Sequence, residues 1–146
     1  MAGISKFSIT NKKNFKLTEE VALPQILAMC VKYDIDVDAE KDKKKKKNLE
    51  SMLSNMLENV RLGYIELNKD GTITQNLQHA PGEIVKINYK EITGEQKLAM
   101  DGKDENDRYE QLYAVLGAAS GLGEHAIMKL VGIDLKVAET LTILFL

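Results

Sequence analysis

GYIELNKDGTITQNLQHAPGEIVKINYKEI, residues 63–92, holds three short runs of alternating apolar and polar residues separated by turn formers. GYIEL and TITQNL flank NKDG, and an Asp-Gly between alternating segments is a strong hairpin signal, because the favoured tight turns need positive φ. HAPG, residues 79–82, then turns the chain into EIVKINYKEI, where Val85, Ile87 and Tyr89 share one face. The reading is a three-stranded meander whose apolar side must be covered by helices. Helical patterns lie on both sides of it. The expected class is therefore α+β: a small antiparallel β-meander packed against several short helices, with an N-terminal helix pair. Residues 1–62 form the N-terminal helical segment, with a charged linker at 34–47, and residues 63–146 form the meander and a helical C-terminal part.

Upstream, a short extended lead precedes a helix that Thr18, Glu19 and Glu20 cap and supply with first-turn acid, Pro24 being tolerable near its start. Ile26, Leu27, Cys30, Val31 and Tyr33 form its apolar face. The acids of DIDVDAEKD, residues 34–42, suggest a calcium loop, but the sixth position is Ala39 rather than Gly and the twelfth is Lys45 rather than Glu. From Leu49 onward, Leu49, Met52, Leu53, Met56, Leu57 and Val60 fall at steps of three and four, one stripe of an amphipathic helix. Lysines 43–47 oppose a helix macrodipole at that end, so the spacing predicts a helix starting near the N-cap Asn48, with the lysines in the linker.

Downstream, Thr93 and Gln96 make a capping box for a short helix ending near Met100. An acidic connection, DGKDENDR, leads into a helix over about 105–120. Tyr109, Leu112, Tyr113, Leu116 and Ala119 are its buried face, and SGLG stops it. Two short helices close the chain, one from Glu124 to Val131 and one after Asp134 as N-cap.

Candidate chemistry is sparse. GAASGLG, residues 117–123, has glycine spacings reminiscent of a phosphate loop, but its glycines follow a helix and no Lys-Ser/Thr accompanies them. His79 and His125, the only histidines, have no Cys or His at ligand spacing. Cys30 is the single cysteine and reads as a buried, inert thiol. Met29, Met52, Met56, Met100 and Met128 sit in helical apolar patterns, as core filler or as an adaptable binding surface. The expectation is a protein that is not an enzyme, with no cofactor and no metal.

The 146 residues are about one domain, and 44% hydrophobic with 29% charged residues is ordinary for a globular chain. A net charge of -2 excludes a globally basic nucleic-acid binder, and only Arg61 and Arg108 are arginines among twenty basic residues. Over residues 34–47 five acids face six lysines, close enough in sequence to fall within a Debye length of about 8 Å, so the local field partly cancels. No signal-peptide pattern and no run of ~18 apolar residues occurs, so the expected location is cytoplasmic.

The order of features in the second half resembles the small tail assembly chaperones of long-tailed phages of the Mu and P2 type. It is carried by Leu77, Pro81, Ile84 to Tyr89, Glu91-Ile92-Thr93, Leu112 to Leu116, Leu122, Leu130, Asp134 and Phe145-Leu146, over residues 73–146. The resemblance implies a non-enzymatic protein of the bacterial host cytoplasm, absent from the mature virion. Such a protein binds the long helical tape-measure protein, aids tail-tube assembly and associates with itself. The contact surface expected here is Leu49, Met52, Leu53, Met56, Leu57, Leu141, Leu144 and Phe145. The alternative is a small nucleic-acid-associated regulatory protein using the lysine-rich linker.

Overall fold

A computed structural model describes residues 13–99 and 108–145. The sequence readings that fall on residues 1–12, on Met100 with the acidic connection 101–107, and on Leu146 lie outside it. Two helices come first, α1 (Glu19–Lys32) and α2 (Lys43–Leu62). The strands β1 (Ile65–Leu67), β2 (Ile73–Asn76) and β3 (Lys86–Tyr89) follow, then α3 (Gly94–Ala99), α4 (Arg108–Ser120), α5 (Glu124–Met128) and α6 (Gly132–Phe145). The sheet is the expected meander, ordered β1-β2-β3 and antiparallel throughout, with Ile65 opposite Gln75 and Ile73 opposite Tyr89. In the β1–β2 turn Gly71 has φ 90°, and Asp70 accepts from the amide and hydroxyl of Thr72. These bonds hold the Asp70 carboxyl below its usual range.

The N-terminal pair departs from expectation at the lysines. They are not a linker: α2 begins at Lys43, because Asp42 takes the N-cap and accepts from the amides of Lys44 at 2.9 Å and Lys45 at 3.2 Å. A capping carboxylate satisfies two of the otherwise orphaned amides and sets a negative charge at the positive helix end, which offsets the lysines' opposition to the dipole. Lys46 is half-buried and its ammonium stands 3.8 Å from Asp38; the other four lysines of the run are exposed. Thr18 occupies the cap position of α1 but makes no side-chain cap bond.

Both helices end in the same way. Asp34 (φ 53°) closes α1 while Ile35 N–H reaches Cys30 O at 2.8 Å, and Gly63 (φ 80°) closes α2 while Tyr64 N–H reaches Asn59 O at 3.0 Å. Both are Schellman endings. Arg61 then clips the incoming lead to the end of α2. Its Nε donates to Leu17 O, its guanidinium lies 4.0 Å from the Phe15 ring centre, and its carbonyl accepts from the Lys16 and Leu17 amides.

One apolar cluster joins all of these layers. Ala22 and Ile26 of α1, Met56 and Val60 of α2, the inward residues Ile65, Ile73, Ile87 and Tyr89 of the sheet, and Leu116, Ile127, Val137, Leu141 and Phe145 of the C-terminal helices belong to it. The helix pair is therefore continuous with the rest of the core. Val85 and Tyr109, expected on buried faces, are 60% and 65% exposed. Val85 precedes β3 rather than standing within it, and Tyr109 lies in the first turn of α4.

The remaining expectations about helix ends divide. Thr93 and Gln96 do form the reciprocal capping box. Gly121 and Gly123, both at positive φ, do end α4, and within the helix a Cβ at Gly117 would meet Glu124 N at 2.7 Å, so that close approach of α4 to α5 needs glycine. Asp134 is not an N-cap. The helix α6 starts two residues earlier, at Gly132, and the Asp134 carboxylate is turned away to the sheet.

Candidate protein-docking surfaces

Asp134 is 2% exposed and accepts from the backbone amides of Gln78 at 2.8 Å and His79 at 2.7 Å, in the segment that leaves β2. Its own carbonyl accepts from Gln75 Nε2 at 2.7 Å, and Gln75 Oε1 in turn accepts from the Tyr89 hydroxyl at 2.7 Å. Every polar atom of this chain has a partner, so the network locks α6 onto the sheet. Burial, with the Asp134 charge adding to it, pushes the Tyr89 phenol well above its ordinary value. The arrangement is a structural fastener between α6, the sheet and the segment leaving β2.

His79 and His125 are both exposed, and His79 is engaged through its backbone N–H. Burial pushes the Cys30 thiol up, away from the reactive thiolate. Among the described residues no three His, Cys, Asp or Glu side chains gather to hold a metal ion, and no helix is long and apolar enough to cross a membrane. The side chains of lysines 43–45 and 47 are exposed, and at that helix end the amides of Lys44 and Lys45 are taken by Asp42. An incoming phosphate would have to displace that cap.

The contact surface expected from the sequence is not free. Met56, Leu141 and Phe145 are at most 1% exposed and Leu144 7%, all inside the core. Leu49, Met52, Leu53 and Leu57 are partly buried and pack against the same cluster. The stripe of α2 is apolar because it covers the body's own α6 and β1, and the terminal helix is apolar because it is central.

Among the described residues, two other helical surfaces carry several exposed apolar side chains. The first is the outer side of α1, where Val21, Leu23, Leu27 and Val31 are all exposed, Val31 to 83%. Ala22, Ile26 and Met29 face inward, so the assignment of Leu27 and Val31 to the buried face is corrected. The second is a groove of about 290 Å³ between α4 and α6, lined by Tyr109, Leu112, Glu139 and Ile143. Ile143 is 57% exposed, and the Tyr109 and Tyr113 rings lie 6.3 Å apart along α4. Burial, then the neighbouring Glu139 carboxylate and Tyr109, raise the Tyr113 phenol. Glu139 thus puts one negative charge on an otherwise apolar groove.

Neither surface was assigned from the sequence, although α1 carried a usable signal. Its apolar residues run round the whole circumference, more than one buried face can absorb. The groove joins residues of two helices far apart in sequence and has no local signature. Compared with protein-family models, with curated proteins and with solved structures, the chain finds no match in any of the three.

Proposed function

We propose that the chain is a non-enzymatic assembly chaperone of the phage-tail type, which holds amphipathic helical segments of a long tape-measure protein and helps bring tail-tube subunits to it. The observation that carries this reading is apolar helical surface outside the buried core: the groove of Tyr109, Leu112 and Ile143. An amphipathic helix can lay its apolar side into such a groove, using residues at steps of three and four as anchors. Glu139 at the edge favours a basic residue flanking those anchors. A single groove of this size gives a weak contact. Repetition along one long helical partner turns weak contacts into retention by avidity, and allows release when tube subunits compete for the same helix. Cytoplasmic action in the host, before the tail is complete, is part of the same proposal.

The test is co-expression with the product of a neighbouring gene encoding many hundreds of residues of helical repeats. The expected result is that the partner, insoluble alone, stays in solution and co-purifies with several copies of this chain. Ile143→Lys, on an exposed position, should abolish co-purification without unfolding the protein. Failure of the wild-type protein to retain such a partner would overturn the reading. So would steep salt-dependent DNA binding lost on neutralising Lys43 to Lys47, which would favour the nucleic-acid role instead.

A further inference from the structure

We infer that the outer face of α1 is a self-association surface, on which a second copy of the chain packs its own α1 antiparallel. A solvated helix normally turns polar residues outward, and one that is apolar all round is normally buried. Between Glu20 and Lys32, the exposed positions of α1 are Val21, Leu23, Pro24, Leu27, Ala28 and Val31, all apolar. Leu23, Leu27 and Val31 are four apart and form one ridge, while the smaller Pro24 and Ala28 beside it leave a shallow groove. Ridge into groove is the way two helices close on each other.

Charge selects the occupant and its direction. The helix begins with Glu19 and Glu20 and ends with Lys32. Two parallel copies would set acids against acids. In an antiparallel pair related by a two-fold axis near residue 26, the acids of each copy approach Lys32 of the other, and Val21 meets Val31 both ways. That is the reciprocity an isologous interface requires. The opposed helix dipoles favour the same arrangement. Lys32 also pairs with Glu91 of its own chain, an exposed and weak ion pair that the partner's acids would share or displace.

The exposed apolar area is of the order of a few hundred Å² per copy, comparable to the largest patch that a typical monomer carries. It falls short of the ~800 Å² per partner of a standard stable interface, so the dimer is weak and concentration-dependent. The face is separate from the α4–α6 groove. Dimer formation and partner binding can therefore fail independently.

Sedimentation of the full chain from about 1 μM to about 1 mM reads this directly. The expected result is a monomer at the low end and a dimer at the high end. Leu27→Lys and Val31→Lys should each weaken the dimer at least about tenfold, because each places a charge in the apolar contact. Val31 is so exposed that its substitution leaves the fold intact. Direction is read by oxidation on a Cys30→Ala background. With a rise of ~1.5 Å per residue, Leu27→Cys places the two thiols close to the axis, whereas Val31→Cys places them roughly 15 Å apart along it. Rapid disulfide formation at position 27 and little at 31 is expected. A monomer at every concentration, a dimer that neither lysine substitution weakens, or equal cross-linking at both positions would overturn the inference.

Discussion

The two N-terminal helices make opposite uses of apolar residues. α2 has high contrast: lysines and other polar groups outward, and one stripe from Leu49 to Val60 turned inward onto α6 and β1. α1 has low contrast: Ala22, Ile26 and Met29 inward, and Val21, Leu23, Leu27 and Val31 outward. A sharply amphipathic helix on a small body is accounted for by that body's own core. What marks a surface for another molecule is apolar content left over once the core is filled.

The largest test of this contrast is Met56→Ala on α2 against Val31→Lys on α1. Met56 is fully buried, so its truncation leaves a cavity and should cost about 2–5 kcal/mol by denaturant unfolding. Val31→Lys should change the stability of the monomer by no more than about 0.5 kcal/mol. A comparable loss at both positions would break the distinction.

Next is the platform that α2 covers. Asp134→Ala strips two backbone amides of their acceptor and should cost about 2–3 kcal/mol, with faster hydrogen exchange at Gln78 and His79. Tyr89→Phe leaves Gln75 Oε1 without its donor and should cost about 1–2 kcal/mol at neutral pH. Because the phenol titrates higher in the folded state than unfolded, its contribution is fully present below pH ~10. Above that pH the unfolded chain loses the proton first, and stability falls by up to ~1.4 kcal/mol per pH unit. Urea titrations between pH 9 and 12 should show the Phe variant with a shallower decline. The smallest effect is at the caps. Asp42→Ala should destabilise by about 1 kcal/mol, whereas Thr18→Ala, which removes no cap bond, should be nearly neutral.

Much of the fold was legible because its signals are local. Asn-Lys-Asp-Gly, the alternation of Ile87 and Tyr89 with polar residues, the Thr93–Gln96 box and the glycines after Ala119 each act within a few positions, and each gives the element expected. The start of α2 departs from its sequence pattern because Asp42, one acid among five in residues 34–42, caps the helix and offsets the lysines at its positive end. Asp134 was misread because its partners lie more than fifty residues away, where no cap pattern can point to them. The candidate surface was the least legible. A leucine and methionine stripe looks the same in sequence whether it meets its own core or a partner, and only the packing of α6 against α2 decides between them.

Hydrogen exchange of the chain, free and bound to the helical partner proposed for it, tests the account most directly. The prediction is new protection in α4 and α6 around Tyr109, Leu112 and Ile143, with the Leu49–Val60 stripe unchanged because it already packs against the body's own core. Protection confined to residues 49–60, with none in the groove, would contradict it.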